Sequence, residues 1–162
     1  MPSLETSIRE SLLEFAAHLA ETHWRGRERE AVSLFAFGFL QKHFENPAQI
    51  AIEAAVVQLH GKGKRQVCKD LVIWPRPGMT VWDDSWQLRN DPSCIIEWKV
   101  ASKRSHKPPC SGLDVDWLRS FSSTRTAFEG YAVAVDLRRR NFLISVTRVK
   151  ASKVSVGWLI CN

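Results

Sequence analysis

The sequence predicts an α/β protein with a mixed central sheet flanked by helices. Apolar residues in the first 45 positions recur at helical spacing, whereas most later apolar segments are short and rich in β-branched residues. The order of the segments is the third observation. Three consecutive strands followed by one crossover helix and two further strands imply parallel and antiparallel pairing in one sheet.

Two helices are predicted at the start of the chain. In the first, over residues 3–21, apolar side chains such as Leu12 and Phe15 recur at steps of three and four residues. Gly26 separates this segment from a second helix at about residues 27–44, which the Asn46-Pro47 pair ends.

Three strands and then a helix follow these two helices. The strands are predicted at residues 49–59, 66–74 and 94–100, and the first two are joined by a glycine- and lysine-rich turn. A long polar loop containing Trp82 and Trp86 runs from Pro75 to Pro92. After a basic, proline-rich loop over residues 101–111, the pattern predicts a helix at about 113–128 and strands at 131–137 and 142–149. A last apolar segment, 154–160, is expected to form another strand or an edge.

Composition and length exclude several classes of protein. The chain has 162 residues, of which 44% are hydrophobic and 25% charged, and we expect one globular domain over residues 1–162. The longest nearly apolar run, residues 34–40, is far shorter than the roughly 20 residues of a membrane span. Acidic residues in the first 25 positions exclude a signal-peptide core, so we expect a cytoplasmic protein. The four cysteines form no C-x-x-C pair and predict no zinc site.

Positive charge is concentrated in the second part of the chain. Residues 1–60 hold five basic and eight acidic side chains, whereas residues 61–162 hold eighteen basic and nine acidic ones. Such segregation favours a polyanionic partner, although a solvated basic surface would give the same count.

Charged residues interrupt two of the predicted strands. Asp70 lies in an apolar run, and Glu97 and Lys99 lie in another. Burying a charge without a partner costs free energy, so we expect these residues to have a charged partner, a metal ion or a function. Alternation places Glu97 and Lys99 on one face of their strand, and neighbouring strands would let Asp70 and Glu97 meet around one cation such as Mg²⁺. The alternative is a structural network of salt bridges at an open sheet edge.

These residues and their order resemble the PD-(D/E)XK nuclease superfamily, whose core is α-β-β-β-α-β. Asp70 matches the family's Asp in the second strand, and Glu97-Trp98-Lys99 matches the (D/E)-x-K in the third. Lys69 stands where the motif has its proline. The resemblance covers residues 26–148, and it implies a restriction-endonuclease-like fold with an N-terminal helical extension over 1–25 and a C-terminal strand or edge over 149–162.

The family also carries an acidic residue in the helix before the first strand. We expect Glu30 in this role, because it stands next to the apolar stripe of that helix. Glu28 is the second candidate, and Glu53 in the first strand is the third.

The resemblance implies metal-dependent hydrolysis of phosphodiester bonds in nucleic acid, with DNA as the first expectation and RNA left open. Asp70, Glu97 and the backbone carbonyl of Trp98 would hold Mg²⁺ or Mn²⁺. Lys99 would position or activate water and stabilise charge on the phosphate. Glu30 would bind through a water or a second metal. Nucleic acid would contact the basic loops that flank the two strands, through Lys62, Lys64, Arg65, Lys103, Arg104 and Lys107.

Two further expectations concern partners. A duplex substrate that is cut on both strands favours a homodimer, and Trp82 and Trp86 could stack on a base, dock on another protein or pack within their loop. The rival to an enzyme is a nucleic-acid-binding or protein-interaction module that has a nuclease-like fold without turnover. A membrane partner is not expected, and the chain lacks the glycine-rich loop of a P-loop nucleotide hydrolase.

Overall fold

The computed structural model describes residues 3–59 and 65–161. They form three α-helices and a six-stranded open sheet in which β3 and β4 are parallel and every other neighbouring pair is antiparallel. The α/β class and the mixed sheet flanked by helices are confirmed. The bounds are α1 (Leu4–Thr22), α2 (Glu28–Leu34), β1 (Ile50–Val57), β2 (Gln66–Ile73), β3 (Cys94–Ala101), α3 (Gly112–Ser122), β4 (Glu129–Asp136), β5 (Leu143–Lys150) and β6 (Lys153–Cys161).

The first two helices begin where the sequence supplies a cap. The Ser3 hydroxyl accepts a hydrogen bond of 3.1 Å from the Thr6 amide at the start of α1. At α2, the Glu30 carboxylate reaches back to the backbone amide of Arg27 at 2.6 Å. The chain then continues beyond α2 through a π-helical turn, Phe35–Leu40, and a 3₁₀ turn, Gln41–His43, so the predicted second helix is a composite of three helical forms.

Apolar layers cover both faces of the sheet. One layer joins α1 and α2 to the face that carries Ile96 and Trp98, and the other joins α3 to the face that carries Val72 and Ile95. The helix α1 belongs to the first layer, because the ring of Phe15 lies 5.6 Å from that of Trp98, centroid to centroid. The N-terminal helix is therefore part of the packed core.

The third helix ends six residues earlier than its apolar pattern predicts. After Ser122 the chain forms two turns, in which the Arg125 amide donates to the Ser122 carbonyl and the Phe128 amide donates to the Arg125 carbonyl. Phe128 is still buried and packs from outside the helix, which is why the apolar spacing extends the predicted helix to this residue. The start of β4 approaches α3 closely, since a Cβ at Gly130 would lie 2.9 Å from the Leu118 side chain.

The sheet opens between β2 and β3. These strands pair only where Leu71–Ile73 faces Cys94–Ile96. Beyond that point β2 stays paired with β1 and β3 stays paired with β4. The two halves of the sheet therefore separate toward the start of β2 and the end of β3, where the basic loops lie.

None of the helices in the described ranges has both the length and the apolar character needed to cross a membrane.

Candidate active site

Asp70 and Glu97 occupy the first positions at which β2 and β3 no longer pair. Each carboxylate replaces a ladder hydrogen bond that the strands do not make there. The Trp98 amide donates to Asp70 Oδ2 at 2.7 Å, and the Asp70 amide donates to Glu97 Oε2 at 3.3 Å. The backbone groups freed by the separation of the strands are thus satisfied by the two acidic side chains.

Lys69 is the ionic partner of Glu97. Its ammonium contacts Glu97 Oε1, and the two side chains are only 8% and 5% exposed. The same ammonium lies 3.6 Å above the ring of Trp117 on α3. Burial raises the pKa of Glu97, and the charge of Lys69 and its hydrogen bond work in the opposite direction.

Sequence reasoning missed this role of Lys69. A lysine inside an apolar strand needs a partner, and that signal was present in the sequence. Strict alternation, however, would place Lys69 on the face opposite to α3. The β1–β2 ladder passes from Ile52–Leu71 to Ala54–Lys69, and Glu53 between them has a left-handed backbone with φ 50°. An irregularity of this kind cannot be read from residue types.

Lys99 is surrounded by carboxylates. Its ammonium lies 3.2 Å from Asp114 Oδ2 and donates to the Trp98 carbonyl at 2.9 Å. Burial lowers the pKa of Lys99, but the charges of Asp114, Glu28 and Asp70 outweigh it, so the pKa is raised overall. Lys99 is therefore held as a cation. Asp114, in the first turn of α3, is a second site residue that the sequence pattern did not reveal.

Glu28, rather than Glu30, is the helical acid at this site. Glu28 Oε2 accepts a hydrogen bond of 3.2 Å from the Val100 amide on β3. Burial raises the pKa of Glu28, Lys99 lowers it and the charge of Asp70 raises it further. Glu30 is exposed and bound to the Arg27 amide, so its carboxylate is used to cap α2. The structure therefore does not bring Glu30 to the other predicted site residues, whereas Glu28, the second candidate, lies beside them.

A cavity of about 330 Å³ connects α2 to the opening in the sheet. Glu28, Glu53 and Asp70 supply its acidic lining. Glu53 is paired with Arg29, Nε to Oε1, at 2.6 Å. Among the described residues, neither Glu28 nor Asp70 has a basic side chain within ion-pair distance, and Arg29, which also lines the cavity, is paired with Glu53.

The oxygen atoms of this region suit a hard divalent cation. Mg²⁺ takes one or two carboxylates and completes its shell with waters and phosphate oxygens. Within residues 3–59 and 65–161, Asp70 Oδ1 and Glu28 Oε1 receive no hydrogen bond, whereas Glu97 uses both of its oxygens. The carbonyl of Trp98 accepts from Lys99. No cluster of three or more His, Cys, Asp or Glu side chains with metal-site geometry occurs in these ranges.

Basic side chains lie at the open end of the separated strands. Arg65 directly precedes β2, and Lys103, Arg104 and Lys107 follow β3; all four are exposed. Lys62 and Lys64 lie outside the described residues. Arg138, Arg139 and Arg140 follow β4 at the same end of the sheet, because the Leu137 amide donates to the Ala101 carbonyl. Exposed positive charge therefore lies at the end of the sheet toward which β2 and β3 separate.

The loop with two tryptophans lies at the opposite end of β2 and β3. The rings of Trp82 and Trp86 are 6.4 Å apart, and Trp86 is 77% exposed. The Asn90 side chain donates to the carbonyls of Thr80 and Trp82, which fixes the loop. The two rings thus lie near each other within the loop, and the loop is at the end of β2 and β3 opposite to the basic side chains.

Comparison of the chain with protein-family models, with curated proteins and with solved structures finds no match.

Proposed function

We propose that this protein is a metal-dependent nuclease that hydrolyses phosphodiester bonds of nucleic acid. One observation carries the proposal: Glu28, Asp70, Glu97 and Lys99 come from three different elements and lie together where the sheet opens. The element order α2-β1-β2-β3-α3-β4 supports a restriction-endonuclease-like core, since it follows the α-β-β-β-α-β order of that superfamily.

The acidic residues are the proposed metal site. Asp70 would hold Mg²⁺ or Mn²⁺, and either Glu28 or Glu97 would supply a second carboxylate. A bound divalent cation would neutralise charge on the phosphate and lower the pKa of a coordinated water. Asp70 is anchored for this task by the Trp98 amide, and Glu28 by the Val100 amide.

Lys99 is proposed to bind the scissile phosphate. Neighbouring carboxylates raise the pKa of its ammonium, which suits it to donate hydrogen bonds to a phosphate oxygen or to a water. Charge that develops on the phosphate during the reaction would be stabilised at this point. Asp114 holds the ammonium in place.

The basic loops are the proposed surface for the nucleic-acid backbone. Contacts to phosphates are independent of sequence and position the strand. Arg65 and the Lys103–Lys107 loop lie on either side of the separation between β2 and β3. A backbone held between them would pass over Asp70 and Lys99.

A binding module without turnover is the second candidate, and one contact favours it. Glu97 and Lys69 neutralise each other. A buried ion pair of this kind explains why both charged residues occur in the strands without any role in catalysis. In that case the opening of the sheet would bind nucleic acid or a protein and leave it intact.

A cleavage assay separates the two candidates. Plasmid, linear DNA and RNA are incubated with the protein in Mg²⁺, in Mn²⁺ and in EDTA. We expect cleavage only with the metals, and Lys99→Ala should reduce its rate on the order of 10²–10³-fold. Lys153→Ala, an exposed lysine at the start of β6, is the matched control. A wild-type protein that binds these substrates and cuts none of them supports the binding module.

A further inference from the structure

Lys69 is a buried lysine, unlike the lysines on the surface of the protein. It is nearly as buried as Glu97, and its ammonium is held between the carboxylate of Glu97 and the ring of Trp117. Trp117 is in turn fixed by a hydrogen bond of 3.1 Å from its Nε1 to Gln58 Oε1. The ammonium is therefore held between a side chain of β3 and a side chain of α3.

The position of Lys69 determines which contacts Glu97 can make. One of its oxygens is bound to the Lys69 ammonium and the other to the Asp70 amide. Asp70 and Glu28, by contrast, line the cavity next to the opening and each has an oxygen that receives no hydrogen bond from the described residues. A second cation placed against Glu97 would be repelled by the ammonium already there.

We propose that Lys69 is a positioning residue that acts as a permanent internal cation: it withholds Glu97 from the metal, so that the divalent cation is held by Asp70 and Glu28. This inference rests on the proposed function for the presence of a metal. It differs from what the PD-(D/E)XK resemblance implies, which is a metal held by Asp70 and Glu97.

The arrangement also connects α3 to the site. Trp117 and Asp114 both lie on α3, and each contacts one of the two lysines. Lys69 thus fixes Glu97, and Glu97 fixes the backbone of Asp70. Lys69 acts on the metal site through these contacts and does not touch the substrate.

Binding of Mn²⁺ alone tests the assignment. The intensity of the electron paramagnetic resonance signal of free Mn²⁺ is followed during titration of the full chain at pH 8, without nucleic acid. Asp70→Asn and Glu28→Gln should weaken binding about tenfold or more, whereas Glu97→Gln should weaken it much less, because Glu97 supplies no metal ligand. Glu45→Gln and Asp84→Asn, both exposed, are the matched controls.

Replacement of Lys69 supplies the decisive comparison. Lys69→Met keeps the length of the side chain beside Trp117 and frees Glu97, so Mn²⁺ should bind about tenfold more tightly. The double variant Lys69→Met/Glu97→Gln should return to the wild-type affinity, and Lys69→Arg should retain it. A lysine with a merely structural role would give weaker binding or none in Lys69→Met.

Two results would overturn the inference. One is a loss of Mn²⁺ affinity in Glu97→Gln that is as large as the loss in Asp70→Asn. This result can be obtained even if Lys69→Met does not fold. The other is a folded Lys69→Met that binds Mn²⁺ no more tightly than wild type. Absence of Mn²⁺ binding by the wild type would overturn the metal site and this inference together. If Mn²⁺ binding follows the expected pattern but no nucleic acid is cleaved, the proposed nuclease activity is refuted and the assignment of the metal ligands stands.

Discussion

Asp70 and Glu97 face each other across the first unpaired position of β2 and β3, and each takes over a backbone hydrogen bond that the separating strands no longer make. The carboxylates therefore have two roles. Both carboxylates close the end of the β2–β3 ladder. Asp70 also brings negative charge to the opening, whereas the charge of Glu97 is balanced by Lys69. Substitutions must be chosen so that the structural role is distinguished from the chemical one.

The structural role of Asp70 predicts a difference between two substitutions. Asp70→Ala leaves the Trp98 amide without its acceptor and should lower the free energy of unfolding by about 1–3 kcal/mol. Asp70→Asn keeps an oxygen acceptor and should stay within about 1 kcal/mol of wild type. Urea denaturation measures both values, with Asp84→Ala as the control for an exposed aspartate. Equal stability of wild type and Asp70→Ala would contradict the ladder role.

Packing of α1 predicts that the N-terminal helix is required for the fold. Phe15 is fully buried and its ring meets those of Phe35 and Trp98. Phe15→Ala should destabilise the protein by about 3–5 kcal/mol. Leu13→Ala, on the exposed side of the same helix, should change stability by less than about 0.5 kcal/mol. Similar midpoints of thermal unfolding for the two variants would show that α1 is dispensable.

The environment of Glu129 predicts that part of the free energy of unfolding is lost at acidic pH. Burial alone would raise the pKa of Glu129, but hydrogen bonds from Lys150 and Tyr131 and the charge of Arg148 lower it below its ordinary value of 4.5. A lowered pKa adds stability above pH 4.5 that is lost as the pH falls through the folded-state pKa.

Glu129→Gln isolates that component. The variant should be less stable than wild type by about 1.5–3 kcal/mol at pH 7, and the two curves of unfolding free energy should converge below pH 4.5. Glu45→Gln, an exposed glutamate, should follow wild type throughout. A constant difference between wild type and Glu129→Gln from pH 7 to pH 3 would show that the charge of Glu129 is not the cause.

The basic loop after β3 predicts a change in the salt dependence of nucleic-acid binding. Replacing Lys103, Arg104 and Lys107 together should weaken binding and reduce the slope of log K against log salt by roughly 0.9 for each phosphate that is no longer neutralised. Replacement of Arg9, Arg25 and Lys153 removes the same charge from other exposed positions. Fluorescence anisotropy with labelled DNA measures both slopes. Equal slopes for the two triple variants would exclude this loop from the interface.

Much of the fold follows from the sequence. The six strands lie within about two residues of the predicted ranges, because period-two alternation and turn residues are local signals. The mixed sheet follows from the crossover helix between β3 and β4. The π-helical turn at Phe35–Leu40 and the early end of α3 do not follow, since tertiary packing decides both.

The candidate site is less predictable than the strands. Asp70, Glu97 and Lys99 stand out because charge interrupts apolar runs, and they do lie together. The choice between Glu28 and Glu30 depends on which carboxylate caps α2, and the pairing of Lys69 with Glu97 depends on the irregularity opposite Glu53. Both depend on side-chain geometry that residue types alone do not reveal.

The most direct test of the proposed nuclease is the rate at which wild type, Asp70→Asn and Asp84→Asn cleave end-labelled DNA across a Mn²⁺ titration. We predict that wild type and Asp84→Asn cut with the same metal dependence, that EDTA stops both, and that Asp70→Asn is slower on the order of 10² to 10³ times at saturating Mn²⁺ while still folded. Cleavage by Asp70→Asn at the wild-type rate, or no metal-dependent cleavage by the wild type, would contradict the proposal.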